Sequence, residues 1–194
     1  MVPTVGLAHA TARRAELFDA LVRLFLAEGF AHLTLDEIAS RLRCSKSTLY
    51  TLAGSKDDLV QAVTVHFFRS ATAEVEAAVA AVRGTRARLT AYLTAVGAAL
   101  APASEQFMDD LAEFAPAREV YEHNTRAAAA RVHDLISEGA AAGDVRDLHA
   151  AFVADVAASV MVRIQQREIK TAVGLDDSRA YLELAELLTA GIGA

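Results

Sequence analysis

The 194-residue chain has one cysteine, three prolines and no tryptophan, and only 6% of its residues are aromatic. A lone thiol, Cys44, excludes a disulfide within the chain and any all-cysteine metal site, and it suits a reducing compartment. Proline and glycine are too few to interrupt the backbone often, and 43 alanines dominate the 54% apolar content. That balance favours helices over sheets, so the expected fold is all-α. Long apolar runs are also missing. The longest stretch without a charge, Leu89–Ser104, is sixteen residues and includes Gly97 and Pro102, short of the ~20 a membrane span requires. The first charges, Arg13 and Arg14, come after the N-terminal apolar residues, the reverse of a secretory signal. A cytoplasmic location with no membrane partner is the expectation.

Signatures of catalysis are absent too. None of the six histidines (His9, His32, His66, His123, His133, His149) has Glu three residues before it, and no HExxH occurs, so di-iron and zincin readings fail on spacing. Nucleotide-binding glycine motifs and the G-x-S-x-G elbow do not occur either. No cofactor, no metal and no enzymatic activity are expected. An overall charge of −6 rules out a bulk polycation that coats nucleic acid through charge alone. The charge is unevenly placed, however. Residues 1–60 carry seven basic and seven acidic side chains, and the whole deficit lies in 61–194, with twelve against eighteen.

The chain does have helical periodicity with stops. Leu17, Leu21, Leu24 and Phe25 form one stripe of a helix over about 13–28, ended by Gly29 in the left-handed turn, with Phe30 folding back. Thr34-Leu-Asp-Glu37 reads as a capping box, with Ile38, Ala39 and Leu42 on one face behind it. Ser45 caps a short helix containing Leu49 and Leu52, and Ser55-Lys-Asp-Asp58 opens a long one to about Val82. Arg83-Gly-Thr85, Pro102 and Pro116 divide the next stretch into helices over about 85–100, 103–114 and 116–139. Asp147 caps a helix to about Lys170, and a last one spans about Ser178–Leu188, giving about nine. The helix over 147–170 is apolar around nearly its whole circumference. It is either a central core helix or one shared between its own domain and a second copy.

The helices over 13–52 have helix-turn-helix spacing. Ile38, Leu42, Cys44, Leu49 and Leu52 fall where two crossing helices touch, and Ala39 is small enough for close approach. Such a capped short helix fits the ~12 Å major groove of duplex DNA. The residue patterns themselves add specificity. Leu24-Phe25-x-x-x-Gly29-Phe30, Thr34-x-x-x-Ile38-Ala39, Ser45-Lys46-x-Thr48-Leu49-Tyr50 and Ser55-Lys56-Asp57-Asp58-Leu59 closely resemble the N-terminal DNA-binding domain of tetracycline-repressor (TetR) family transcriptional regulators, over about residues 13–63 without gaps.

The resemblance implies a three-helix DNA-binding domain at 1–55 followed by a helical effector-binding and dimerisation domain at 56–194. It implies a homodimer on a near-palindromic double-stranded operator, repressing transcription until a small-molecule effector of unknown identity releases it. By position, Thr34 and Lys56 look like backbone-phosphate contacts, each at a helix start. Ser45, Lys46, Ser47, Thr48 and Tyr50 look like the groove-facing set, with Arg43 and Thr51 beside them. Simple capping explains Thr34 and Ser45 equally well, and half-buried packing is the other reading of Tyr50. The chain departs from the family pattern at Arg43, where glycine is usual, and at Thr51-Leu52-Ala53, where further aromatic or histidine residues are usual. Affinity then leans on Arg13, Arg14, Arg41 and Arg43. For an effector, Phe67, Tyr92, Phe107, Met108, Phe114 and Tyr121 supply aromatic and soft surface, with His66 and His123 as polar partners. The apolar faces of the last two long helices are the expected dimer surface. The competing class is a helical-bundle small-molecule binder or enzyme whose N-terminal helices are incidental.

Overall fold

A computed structural model of the chain describes residues 4–144 and 149–192. Among these there is no strand, and ten helices succeed one another: α1 (Thr4–Glu28), α2 (Leu35–Arg41), α3 (Lys46–Tyr50), α4 (Lys56–Ala80), α5 (Thr85–Leu100), α6 (Glu105–Glu113), α7 (Ala115–Ala142), α8 (Ala150–Gln165), α9 (Glu168–Val173) and α10 (Asp177–Ile192). The fold is all-α as expected, with one helix more than the sequence pattern suggests. The extra break falls after Gln165, where Arg167 takes a left-handed backbone (φ 62°) and separates α8 from α9. Its guanidinium donates to the buried Asp177 carboxylate at 2.7 Å, an ion pair that holds a conformation no glycine or proline announces. The expected cap at Asp147 lies outside the described residues; within them, His149 Nδ1 accepts from the Phe152 N–H at 3.3 Å at the start of α8.

Packing divides the chain into two units. One takes in the chain as far as Phe68 together with Ala103–Val120; the other takes in Arg69–Pro102 and the chain from Tyr121 onward. These packing units are not the linear segments 1–55 and 56–194. The division falls inside α4 and α7, and α6 belongs with the N-terminal helices.

In the first unit Leu21, Phe25, Phe30, Leu33, Ile38, Leu49, Leu59 and Leu111 are fully buried. Gly29 ends α1 with φ 79°, its N–H donating to Phe25 O at 2.8 Å, which turns Phe30 back onto Phe25 with ring centroids 5.6 Å apart. Both the positive φ and the space demand glycine, because a Cβ there would stand 2.6 Å from Asp110 Oδ2. That buried carboxylate on α6 accepts the N–H groups of Phe30 at 2.6 Å and Ala31 at 2.8 Å. Its other oxygen accepts from Gln106 Nε2 at 2.7 Å. The Ser104 N–H donates to Leu26 O at 2.8 Å, so α6 is fastened to the end of α1 at both of its own ends.

In the second unit α5 lies along α10, and the backbones approach most tightly at Gly97, where a Cβ would come 2.9 Å from Ser178 O. Two polar contacts lie within this unit. The Tyr121 hydroxyl donates to Asp177 Oδ2 at 3.2 Å, and Arg131 grips Glu76 through two bonds of 2.9 and 3.2 Å. On α8, Ala154, Ala157, Met161 and Ile164 are buried, while Phe152 and Val156 are exposed. Leu187 on α10 is 68% exposed.

Candidate nucleic-acid interface

The capping box predicted for α2 is present. The Thr34 hydroxyl accepts the Glu37 N–H at 3.2 Å, and Glu37 Oε2 accepts the Thr34 N–H at 2.7 Å. The Thr34 hydroxyl also donates to Glu37 Oε2 at 2.8 Å, and this bond and the backbone one, the backbone one foremost, hold the Glu37 carboxyl below its ordinary pKa. The chain then turns sharply: Leu42 N–H donates to Ile38 O at 3.0 Å, Arg43 N–H to Ser40 O at 3.1 Å and Cys44 N–H to Ala39 O at 3.0 Å. Arg43 occupies the left-handed region (φ 51°), the conformation glycine adopts at no steric cost. Ser45 caps α3, its Oγ accepting the Thr48 N–H at 3.1 Å while lying 2.7 Å from Ser47 Oγ and 2.8 Å from Thr48 Oγ1.

The result is a short helix fixed by one deeply buried residue, Leu49 at 1% exposure, with its polar side turned outward. Ser45, Lys46, Ser47 and Thr51 are exposed, Thr48 is half-buried, and the Tyr50 side chain is 50% exposed. Leu52 and Cys44 are partly buried, and burial pushes the Cys44 thiol above its usual pKa. The cations around α3 are held lightly. Lys46 Nζ pairs with Asp36 at 2.9 Å, a hydrogen bond that raises its pKa, and Arg41 pairs with Glu28. Both pairs are exposed and cost little to exchange for another anion. Lys56 Nζ donates to Ala31 O at 2.7 Å.

The sequence assigns Arg14 only a general electrostatic role; its contacts give it a specific one. It donates to Thr51 O at 2.9 Å and Leu52 O at 3.4 Å and lies over the Phe18 ring at 5.4 Å, so α1 buttresses the C-terminal end of α3. Asp110, which secures the turn ahead of α2, carries no local signal because its partners are some eighty residues away in sequence.

The residues suggested for an effector divide between the units. Phe67, Phe107 and Phe114 join an aromatic cluster with Phe30 in the first unit, at centroid distances of 6.0–6.2 Å, and Met108 is buried on the same helix as Phe107. His66 stacks on Phe18 and meets Asp19 at 2.8 Å; His123 is exposed. Tyr92 and Tyr121 are buried in the second unit, where desolvation raises the phenol of Tyr92 to about 12 and that of Tyr121 well above its ordinary value. One turn beyond Tyr121, Thr125 is 2% exposed and its hydroxyl has no partner among the described residues. Thr64, Thr90, Thr171 and Thr189 instead donate to the carbonyl four residues back. Among the described residues no group of three or more His, Cys, Asp or Glu side chains could hold a metal ion, and no helix is long and apolar enough to cross a membrane.

Residues 17–63 match the family model for bacterial regulatory proteins of the tetR family. No curated protein sequence matches the chain. Among solved structures it is similar to a proposed transcriptional regulator from Saccharomonospora viridis in complex with choline, with TM-score 0.71 and 17% identity over 94% of this chain and 98% of that one. It is also similar to a TetR-family regulator from Streptomyces coelicolor, with TM-score 0.68 and 20% identity over 100% and 97%. A third likeness is to the ketosteroid regulator KstR2 of Mycobacterium tuberculosis, with TM-score 0.58 and 18% identity over 94% and 95%. At these identities the likeness establishes a shared fold.

Proposed function

We propose that this chain, whose residues 17–63 match the family model for bacterial regulatory proteins of the tetR family, is a cytoplasmic homodimeric repressor that reads a near-palindromic operator and is released by a small molecule. The observation that carries the reading is α3 itself: Leu49 is buried beneath it while Ser45, Lys46, Ser47 and Tyr50 stand outward. In this reading those four side chains and Thr48 meet base edges in the major groove. Thr34, Arg43, Thr51 and Lys56 hold the sugar-phosphate backbone. The exposed Phe152, Val156 and Leu187 pack against a second copy, placing the two α3 helices in successive grooves ~34–36 Å apart. The linear domains 1–55 and 56–194 describe this division of labour, reader and then sensor, whereas the packing units describe what is glued to what.

Support for an effector comes from the second unit, where the unpaired Thr125 hydroxyl lies one helical turn from Tyr121. A buried hydroxyl without a partner costs about 1–3 kcal/mol, and a ligand atom bonding it removes that cost. The neighbouring tyrosines suit a ligand with an apolar or cationic body, which makes choline a reasonable first probe.

Selection from a pool of random duplexes tests the reading. Enrichment of a near-palindrome, lost in Lys46→Ala and Tyr50→Ala with the fold intact by circular dichroism, is the expected outcome. Lys56→Ala should lower the salt slope of binding by about one. Weak, salt-sensitive binding to every sequence would instead favour a helical small-molecule binder or enzyme.

A further inference from the structure

We propose that the N-terminal unit has a ligand site of its own, in the groove between α1 and the turn that precedes α3, for an organic anion with an apolar tail. Its occupancy competes with DNA, a consequence that rests on α3 being the reading helix.

The groove has a volume of about 560 Å³, within the range of small-molecule sites. Its floor is apolar: Leu17 and Ala20 from α1, with Leu42 and Leu52 from the turn and the end of α3. Its rim carries three guanidinium groups, Arg13, Arg14 and Arg43, against one carboxylate, Glu16. Arg14 is committed to the carbonyls of Thr51 and Leu52. Arg13 and Arg43 are exposed and make no ion pair among the described residues, which leaves two cations at the mouth of an apolar slot. This polarity matches a carboxylate head over a hydrocarbon tail. A DNA phosphodiester uses the cations and has nothing to set against the floor.

Arg43 supplies the second argument. A non-glycine residue at φ 51° is strained, and the strain is put where a guanidinium rims the cavity. Residues with a strained backbone persist only where the surrounding structure holds them there, and they cluster at ligand sites. Thr48 and Thr51 line the same groove. An occupant therefore meets α3 at Thr48 and takes Arg43 from the DNA backbone, so the two ligands exclude one another.

Cys44 makes the test direct, because it lines the groove and is the only thiol in the chain. Iodoacetamide alkylation of the full-length protein, followed by mass spectrometry, reads occupancy at that position, with octanoate as probe and octanol as its uncharged control. Octanoate at ten times its Kd should slow alkylation about tenfold, octanol far less, and the Arg13→Ala/Arg43→Gly variant should alkylate at the same rate with and without octanoate. An unchanged rate in the wild type overturns the site. So does slowing that persists in the variant, since it places octanoate elsewhere. Protection is read on the protein alone, so it is independent of whether any operator is found. On a selected operator fragment, octanoate should raise the apparent Kd of the wild type and not of the variant; protection without displacement overturns the competition.

Discussion

Replacing Asp110 with alanine should destabilise the protein by about 3–4 kcal/mol. The carboxylate is 3% exposed and accepts two backbone N–H groups on one oxygen and the Gln106 amide on the other. Hydrogen bonds to a charged group contribute about 1.5–3 kcal/mol each, so the two backbone bonds together account for about 3–6, of which water entering the gap recovers part. The Phe30 N–H is buried beside the aromatic cluster, where losing its acceptor is most costly. Asp110→Asn should cost only about 1–2 kcal/mol. Its Oδ1 can keep both N–H bonds while its amide faces a flipped Gln106, so the geometry survives and the charge is lost. With a urea slope of about 2 kcal/mol/M, alanine moves the midpoint down by about 1.5–2 M and asparagine by about 0.5–1 M. Both variants must be titrated at one protein concentration, because the stability of any chain that self-associates depends on it. A shift under about 0.3 M for alanine, or equal shifts for the two variants, would refute the assignment of Asp110 as the anchor of this turn.

Three further outcomes are expected. Arg43→Gly should raise stability by about 1 kcal/mol by relieving the left-handed backbone, while weakening operator binding and its salt dependence; a loss of stability in urea titration would show that the guanidinium holds the turn. Thr125→Val, which removes an unpaired buried hydroxyl at nearly constant shape, should stabilise by about 1 kcal/mol, and destabilisation by as much would point to an unseen partner. Asp177 titrates above its ordinary range because burial outweighs the attraction of Arg167 and the Tyr121 bond. Between the unfolded and folded pKa values the native state binds the extra proton, so this group's contribution to stability falls as pH rises through that window. The destabilisation by Asp177→Asn should therefore shrink from about pH 4 upward, and urea midpoints in which it grows with pH would contradict that sign.

The features legible in the chain are local in origin. Gly29, the Thr34–Glu37 box and the Ser45 cap act within four residues, and each is where the periodicity puts it. The exposure of Lys46 and Tyr50 around a buried Leu49 comes from the same short period. The features that escape a sequence reading are tertiary. The break at Arg167 depends on Asp177 ten residues on, and α6 joins the first unit through contacts that no window of sequence contains. Aromatic residues can be located on helices, but whether Phe107 packs a core or lines a cavity is decided by Phe30 and Phe67, which arrive from other parts of the chain.

The bond from Asp110 to Phe30 also sets a timetable for synthesis. A ribosome adding about 5–20 residues per second delivers Phe30 about 4–16 s before Asp110, eighty residues behind it. During that interval the N-terminal helices lack this fastening, and Phe30 lacks the Phe107 ring of α6 that packs against it. A fragment ending at residue 63 inherits the same deficiency permanently, so moving these helices onto another chain requires α6 to travel with them.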